Sequence, residues 1–116
     1  MKEYMLFFRF GLDGMIPSPE QMQQGMVKWK SWLDKLAKDG NLGATGQRLA
    51  QTGTTLRGKE KRIVDGPFAE GKEILGGYMT IKARDMNEAA EIAKGCPIFD
   101  TGGSAEVREI MVSQTD

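Results

Sequence analysis

Histidine is absent from this 116-residue chain, and cysteine occurs once, at Cys96. The first absence removes the side chain best suited to proton transfer near neutral pH, and with it the commonest metal ligand. It excludes Ser-His-Asp and Cys-His catalysis within one chain. The second leaves no intramolecular disulfide and too few thiolates for a Cys/His zinc site, as fits a reducing compartment. An excess of one charge is missing too: Lys plus Arg equals Asp plus Glu, 16 against 16. The chain as a whole therefore has no electrostatic pull towards nucleic acid or anionic lipid. No window approaches the roughly 18 apolar residues of a membrane-spanning helix. The N-terminal apolar run is broken by Arg9 too early for a signal peptide. There is no Gly-Lys-Ser/Thr phosphate loop, and Gly40, Gly43 and Gly46 lack the Gly-x-Gly core of a dinucleotide site. These absences predict a cytoplasmic protein with no cofactor, no bound metal, and no nucleic-acid or membrane partner.

What is present suits one domain over 1–116, burying roughly two-thirds of the unfolded chain's surface. Residues 3–10 alternate as a strand, with Tyr4, Leu6, Phe8 and Phe10 on one face and Met5, Phe7 and Arg9 on the other. Both faces are largely apolar, so the strand needs cover on both sides. Gly11 to Pro17 reads as a loop. Ser18, Pro19 and Gln21 then form a helix start with a capping box. Met22, Met26, Trp29, Leu33 and Leu36 follow as an apolar stripe, with Trp32 off it, and Gly40 ends the helix. Short strands are predicted at 43–50, 54–57 and 61–64, with a hairpin tip at Gly58-Lys59-Glu60. A glycine-rich loop leads to a strand from Tyr78 to Ala83. Asp85 caps a second helix whose small face is Met86, Ala89, Ala90 and Ala93, and which Gly95-Cys96-Pro97 ends. A last strand is predicted over 105–112, then a polar tail, Ser113 to Asp116.

That order predicts an α+β fold: a ferredoxin-like antiparallel sheet with two helices on one face. The other face would carry Met5, Phe7, Tyr78, Ile110 and Val112, too apolar to leave in water. A homodimer whose sheets face each other is the economical cover. Arg9, Thr80, Glu106 and Arg108 would share that face, and polar groups amid apolar ones in a concave space suit a small-molecule ligand.

One stretch has a more specific likeness. Asp65-Gly-Pro-Phe-Ala-Glu70, Lys72-Glu73, Gly76-Gly77-Tyr78, Ala89-Ala90, the Gly95-Cys96-Pro97 turn and Gly102 through Arg108 together resemble the YCII-related (DGPF) domain family. The likeness covers nearly the whole chain and is densest from about 61 to 112. It implies a dimeric α+β barrel, the fold of muconolactone isomerase relatives, and an active site at the family's aspartate, here Asp65. Family members are thought to pair that aspartate with a histidine, so the dyad cannot form in this chain. Relatives often end Glu-Val-Arg-Pro, where this chain has Glu109. Some members are grouped with extracytoplasmic-function sigma factors, which implies a sigma-factor association and a regulatory role. For most of the family the activity is undetermined.

Several residues are candidates for chemistry, each with two readings. Asp65 is either a general base at a cleft or a turn residue accepting backbone N–H bonds ahead of Gly66-Pro67. Arg9, Arg57 and Arg108 either clamp a carboxylate or phosphate ligand or pair with Glu106 and neighbouring carboxylates. Tyr78, Thr80 and Glu106 would complete the ligand set. Glu70, Lys72 and Glu73 either line the opening or are solvated loop charges. The carboxylates at 65, 70 and 73 match no dedicated magnesium loop. Trp29 reads as core, and Cys96, after a helix C-terminus, as inert. Two functions follow. One is an enzyme acting on a small polar or carboxylated molecule in an inter-sheet cleft, with Asp65 as base. The other is a non-catalytic metabolite-binding or transcription-related regulatory module.

Overall fold

Ser18 Oγ accepts a hydrogen bond from the Gln21 N–H at 3.1 Å, and Gln21 Oε1 accepts one from the Ser18 N–H at 2.9 Å. This reciprocal cap satisfies two otherwise orphaned donors and fixes the start of helix α1, Pro19–Lys38. The structure of the chain, a computed structural model, describes residues 1–11, 18–70 and 73–112. The loop predicted up to Pro17, Lys72 and the tail Ser113–Asp116 lie outside those residues, as does the side chain of Glu70.

Strand β1 spans Lys2–Gly11, β2 Gln47–Arg48, β3 Thr54–Arg57, β4 Arg62–Asp65, β5 Ala69–Glu70, β6 Glu73–Ala83 and β7 Ser104–Glu109. Helix α2 spans Met86–Lys94, and a 3-10 turn, Pro97–Thr101, follows it. The main sheet runs β2-β6-β1-β7, with β5 also on β6, and all its pairings are antiparallel. β3 and β4 form a separate two-stranded hairpin. The fold is thus α+β, with two helices and antiparallel sheets. No described helix is long and apolar enough to cross a membrane.

Strand alternation sends Tyr4, Leu6 and Phe8 of β1 and Met79, Ile81 and Ala83 of β6 to one face, where all are buried. Trp32 and Leu36 of α1 and Ala89 and Ala93 of α2 join them in one core cluster, so both helices lie on that face. Fully burying side chains such as Leu6 and Ile81 stabilises the fold by roughly 1.5–3 kcal/mol each. Asp85 starts α2 by accepting from the Glu88 N–H at 2.9 Å, and Arg84 N–H donates to Glu88 Oε1 at 2.9 Å.

Four expectations from the sequence need correction. Trp32, placed off the α1 stripe, is 8% exposed, whereas Met22 and Met26 are 51% and 69% exposed. The buried face of α1 is Trp29, Trp32, Leu33 and Leu36, because the small residues of α2 leave a space that an indole fills: Ala89 and Ala93 are in its cluster, and Gly95 lies against Trp32 Nε1. The second correction is the glycine loop. β6 begins at Glu73, not Tyr78, and runs through Gly76 and Gly77. The register slips between Phe8 and Arg9, where Gly76 makes the extra residue of a bulge. A Cβ at Gly76 would collide with the Phe10 ring, so any larger residue there would have to displace that ring. Third, the strand expected at 43–50 shrinks to Gln47–Arg48, preceded by an isolated bridge from Leu42 to Ile81. Fourth, β7 ends at Glu109. Ile110 N–H adds one bond to Glu3 C=O at 2.9 Å, and Val112, which had been placed on the open face with Ile110, lies beyond the strand, 87% exposed.

Candidate functional site

The face of the main sheet turned away from the helices carries Met5, Phe7 and Arg9 of β1. They stand opposite Thr80, Tyr78 and Leu75 of β6, and opposite Arg108, Glu106 and Ser104 of β7. Met5, Phe7, Tyr78 and Leu75 are half-buried there, in contrast to the fully buried helix-side residues. Arg9, Tyr78, Thr80, Glu106 and Arg108 therefore share one surface.

Arg9 and Glu106 are joined on it: Arg9 Nη1 donates to Glu106 Oε1 at 2.6 Å. Both side chains keep some exposure, 26% and 44%, so solvent screens the pair and its net contribution to stability is within about 1 kcal/mol. A guanidinium has five N–H donors, and this bond uses one. Thr80 Oγ1 accepts from the Ala44 N–H at 2.6 Å, and Thr80 C=O accepts from the Gly43 N–H at 3.0 Å, so Thr80 holds the chain segment before β2 against the sheet.

At one end of this face Arg9 lines a cavity of about 390 Å³. Glu73 and Leu75 of β6 form its floor with Arg9; Leu49, Ala50 and Thr52 form one wall, and Pro67 and Phe68 another. The Leu49 wall is tied to the bulge, since Leu49 N–H donates to Gly76 C=O at 2.9 Å. The lining is largely apolar, with one guanidinium, one carboxylate and one hydroxyl. That composition suits a small molecule with an apolar body and a single anionic group.

Asp65 and Arg57 sit elsewhere, on the β3–β4 hairpin. Its register pairs Thr54 with Asp65, Thr55 with Val64, Leu56 with Ile63, and Arg57 with Arg62. Asp65 thus shares a hairpin face with Leu56 and Ile63, which are 65% and 70% exposed, and Arg57 is on the opposite face. Among the described residues no hydrogen-bond donor reaches the Asp65 carboxylate. The turn after it is held instead by Gly66, whose N–H donates to Gly53 C=O at 2.8 Å and whose C=O accepts from Thr55 Oγ1 at 2.9 Å. Gly66 has φ of +95°, a conformation that side chains rarely adopt. Arg57 stacks over the Phe68 ring, 5.3 Å from its centroid.

Cys96 is buried, and its thiol is pushed up to about 12, chiefly by desolvation. A thiol held neutral is a poor nucleophile. Among the described residues no three acidic or thiol groups converge on a place for a metal ion.

The structure brings Arg9 and Glu106 into contact and sets Tyr78, Thr80 and Arg108 on the same face. It does not bring Asp65 or Arg57 into the cavity beside Arg9. Leu49, Thr52 and Leu75 carry no motif and were missed in the sequence. Pro67 and Phe68 stood in the Asp-Gly-Pro-Phe signature, but their turn character hid their place in a cavity wall.

With this geometry in view, the chain matches the family model described as the YCII-related domain over residues 3–113, whereas no curated protein matches it. That match takes in both helices and every strand from β1 to β7, so the chain belongs to the YCII-related domain family.

Proposed function

We propose that this protein is a ferredoxin-like dimeric α+β barrel that binds a small monocarboxylate in the cavity beside Arg9. The single observation behind this reading is Arg9 itself. It stands on the helix-free face of the sheet, at the wall of a mostly apolar cavity, with guanidinium donors beyond the one given to Glu106. The strand order β2-β6-β1-β7, with both helices on one face, supports the ferredoxin-like part. The half-buried Met5, Phe7, Tyr78 and Leu75 support a second copy against the other face. Glu106 and Glu73 outnumber the one guanidinium beside them, so each further negative charge on a ligand is penalised and a monoanion is favoured over a dianion. A single cysteine, with no second one in the chain for a disulfide, suits a reducing, cytoplasmic setting.

The second reading, an enzyme with Asp65 as base, draws on a different observation. Asp65 accepts no hydrogen bond from the described residues, and Gly66 holds the turn that Asp65 was a candidate to hold. A carboxylate without a structural task is available for chemistry or for binding. In that case the Asp65 side of the hairpin would have to meet the ligand from another copy. In the non-catalytic alternative, a metabolite-binding or transcription-related regulatory module, the same cavity would hold the metabolite.

The test is calorimetric titration of the full chain with benzoate and with hexanoate, repeated for Arg9→Gln. Binding by the natural chain that weakens about tenfold or more in Arg9→Gln is the expected result, the loss of a charged hydrogen bond. Equal binding by both chains overturns the cavity assignment.

A further inference from the structure

Arg57 and Arg62 are directly opposite each other on the hairpin, the last pair of its ladder before the turn. Like charges at opposed positions destabilise a strand pair, and a two-stranded hairpin has little stability to spare. Lys59 and Lys61 add to the same end, where Glu60 is the one acid among residues 57–62. Among the described residues no carboxylate pairs with either guanidinium.

These two arginines also line one cavity of about 240 Å³. Thr55 and Val64 share their hairpin face, and Pro67, Phe68 and Ala69 close the other side. Pro67 and Phe68 therefore form a wall common to this cavity and the one beside Arg9. The Phe68 ring lies under the Arg57 guanidinium, which restricts that side chain and sets an apolar plane at the cavity edge.

We propose that this cavity binds the phosphate group of a small phosphorylated molecule. Two forked guanidiniums match a dianionic phosphate in charge and in donor geometry, and the bound dianion relieves the repulsion between them. A monocarboxylate would satisfy one arginine and leave the other opposed. The apolar part of the ligand would lie against Phe68. This site is separate from the Arg9 cavity and does not depend on the reading given to it.

The experiment is nuclear magnetic resonance titration of the full chain with inorganic phosphate, phenyl phosphate and acetate at constant ionic strength. Saturating shifts confined to amides of 54–69 are expected for both phosphates, with phenyl phosphate the tighter. Arg57→Gln and Arg62→Gln should each weaken phosphate binding about tenfold or more, the loss of a charged hydrogen bond. Arg9→Gln should leave it unchanged, which separates this site from the carboxylate cavity. Arg62→Lys serves where glutamine unsettles the hairpin: it keeps the charge but not the fork, so weakened binding supports the site. Affinity unchanged in all three hairpin variants, or acetate binding as tightly as phosphate, overturns the proposal.

Discussion

Arg9 Nη1 and Glu106 Oε1 meet at 2.6 Å across the helix-free face of the sheet, linking β1 to β7 beside the larger cavity. Glu106 thereby competes with any anion that enters. Glu106→Gln should raise benzoate affinity by about 5-fold, the equivalent of one ordinary hydrogen bond released to the ligand. Stability should change by less than about 1 kcal/mol, since the pair is partly exposed. Calorimetry and urea denaturation of the same variant check both halves.

Trp32 and Met26 distinguish packing from pattern. Trp32 is buried between α1 and the small residues of α2, and contacts the Trp29 ring edge-on at a centroid distance of 5.7 Å. Trp32→Ala should cost about 3–5 kcal/mol, as for other large-to-small core changes. Met26→Ala should stay within about 0.5 kcal/mol, the range of surface substitutions. Urea midpoints with unchanged slopes would report these differences.

Asp65 and Thr55 can be told apart in the same way. Thr55→Val removes the bond to Gly66 C=O at 2.9 Å and should destabilise the hairpin by about 1 kcal/mol. Asp65→Asn should leave it within about 0.5 kcal/mol. Amide hydrogen exchange of residues 54–66 is the readout, because the hairpin can open without the main sheet. A large loss of protection in Asp65→Asn would return Asp65 to a structural role.

Cys96 makes stability depend on pH in the alkaline range. Its thiol is raised to about 12 by burial, so the folded chain holds that proton more tightly than the unfolded one. Its contribution is full below the unfolded thiol value and is lost as pH rises towards 12. The melting temperature should therefore fall from about pH 9 upward, and the fall should be shallower in Cys96→Ala. Identical slopes for the two chains would contradict the burial argument. At pH 8 the native thiol should react with a disulfide reagent far more slowly than after unfolding.

Local signals were legible in the sequence. Ser18, Pro19 and Gln21 announced α1, and Asp85 announced α2, because a cap is made by residues three apart and needs no tertiary information. The alternation of Tyr4, Leu6 and Phe8 against Met5, Phe7 and Arg9 gave the two faces of β1 for the same reason. The phase of α1 was not legible. Met22 and Met26 fit a helical stripe as well as Trp32 breaks it, and only the space left by Ala89, Ala93 and Gly95 decides between them. Nor was the passage of β6 through Gly76 and Gly77, since glycine reads as a break unless one knows that Phe10 occupies the space of the missing side chain. The cavity beside Arg9 is assembled from β1, β6 and two loops far apart in the chain, so no spacing could reveal it. The Asp-Gly-Pro-Phe signature marked the neighbourhood, but the hairpin register, which separates Asp65 from Arg57, is a property of the folded strands.

The uncovered sheet face is the premise on which the barrel and its ligand both rest. Sedimentation equilibrium at micromolar concentration, on the natural chain and on Phe7→Glu, tests it most directly. Phe7 is half-buried at the centre of that face, between Tyr78 and Glu106. The account predicts twice the 12.8 kDa chain mass for the natural protein, and dissociation in Phe7→Glu with the helices intact. A natural chain that sediments at 12.8 kDa, or a Phe7→Glu variant that stays dimeric, would contradict it.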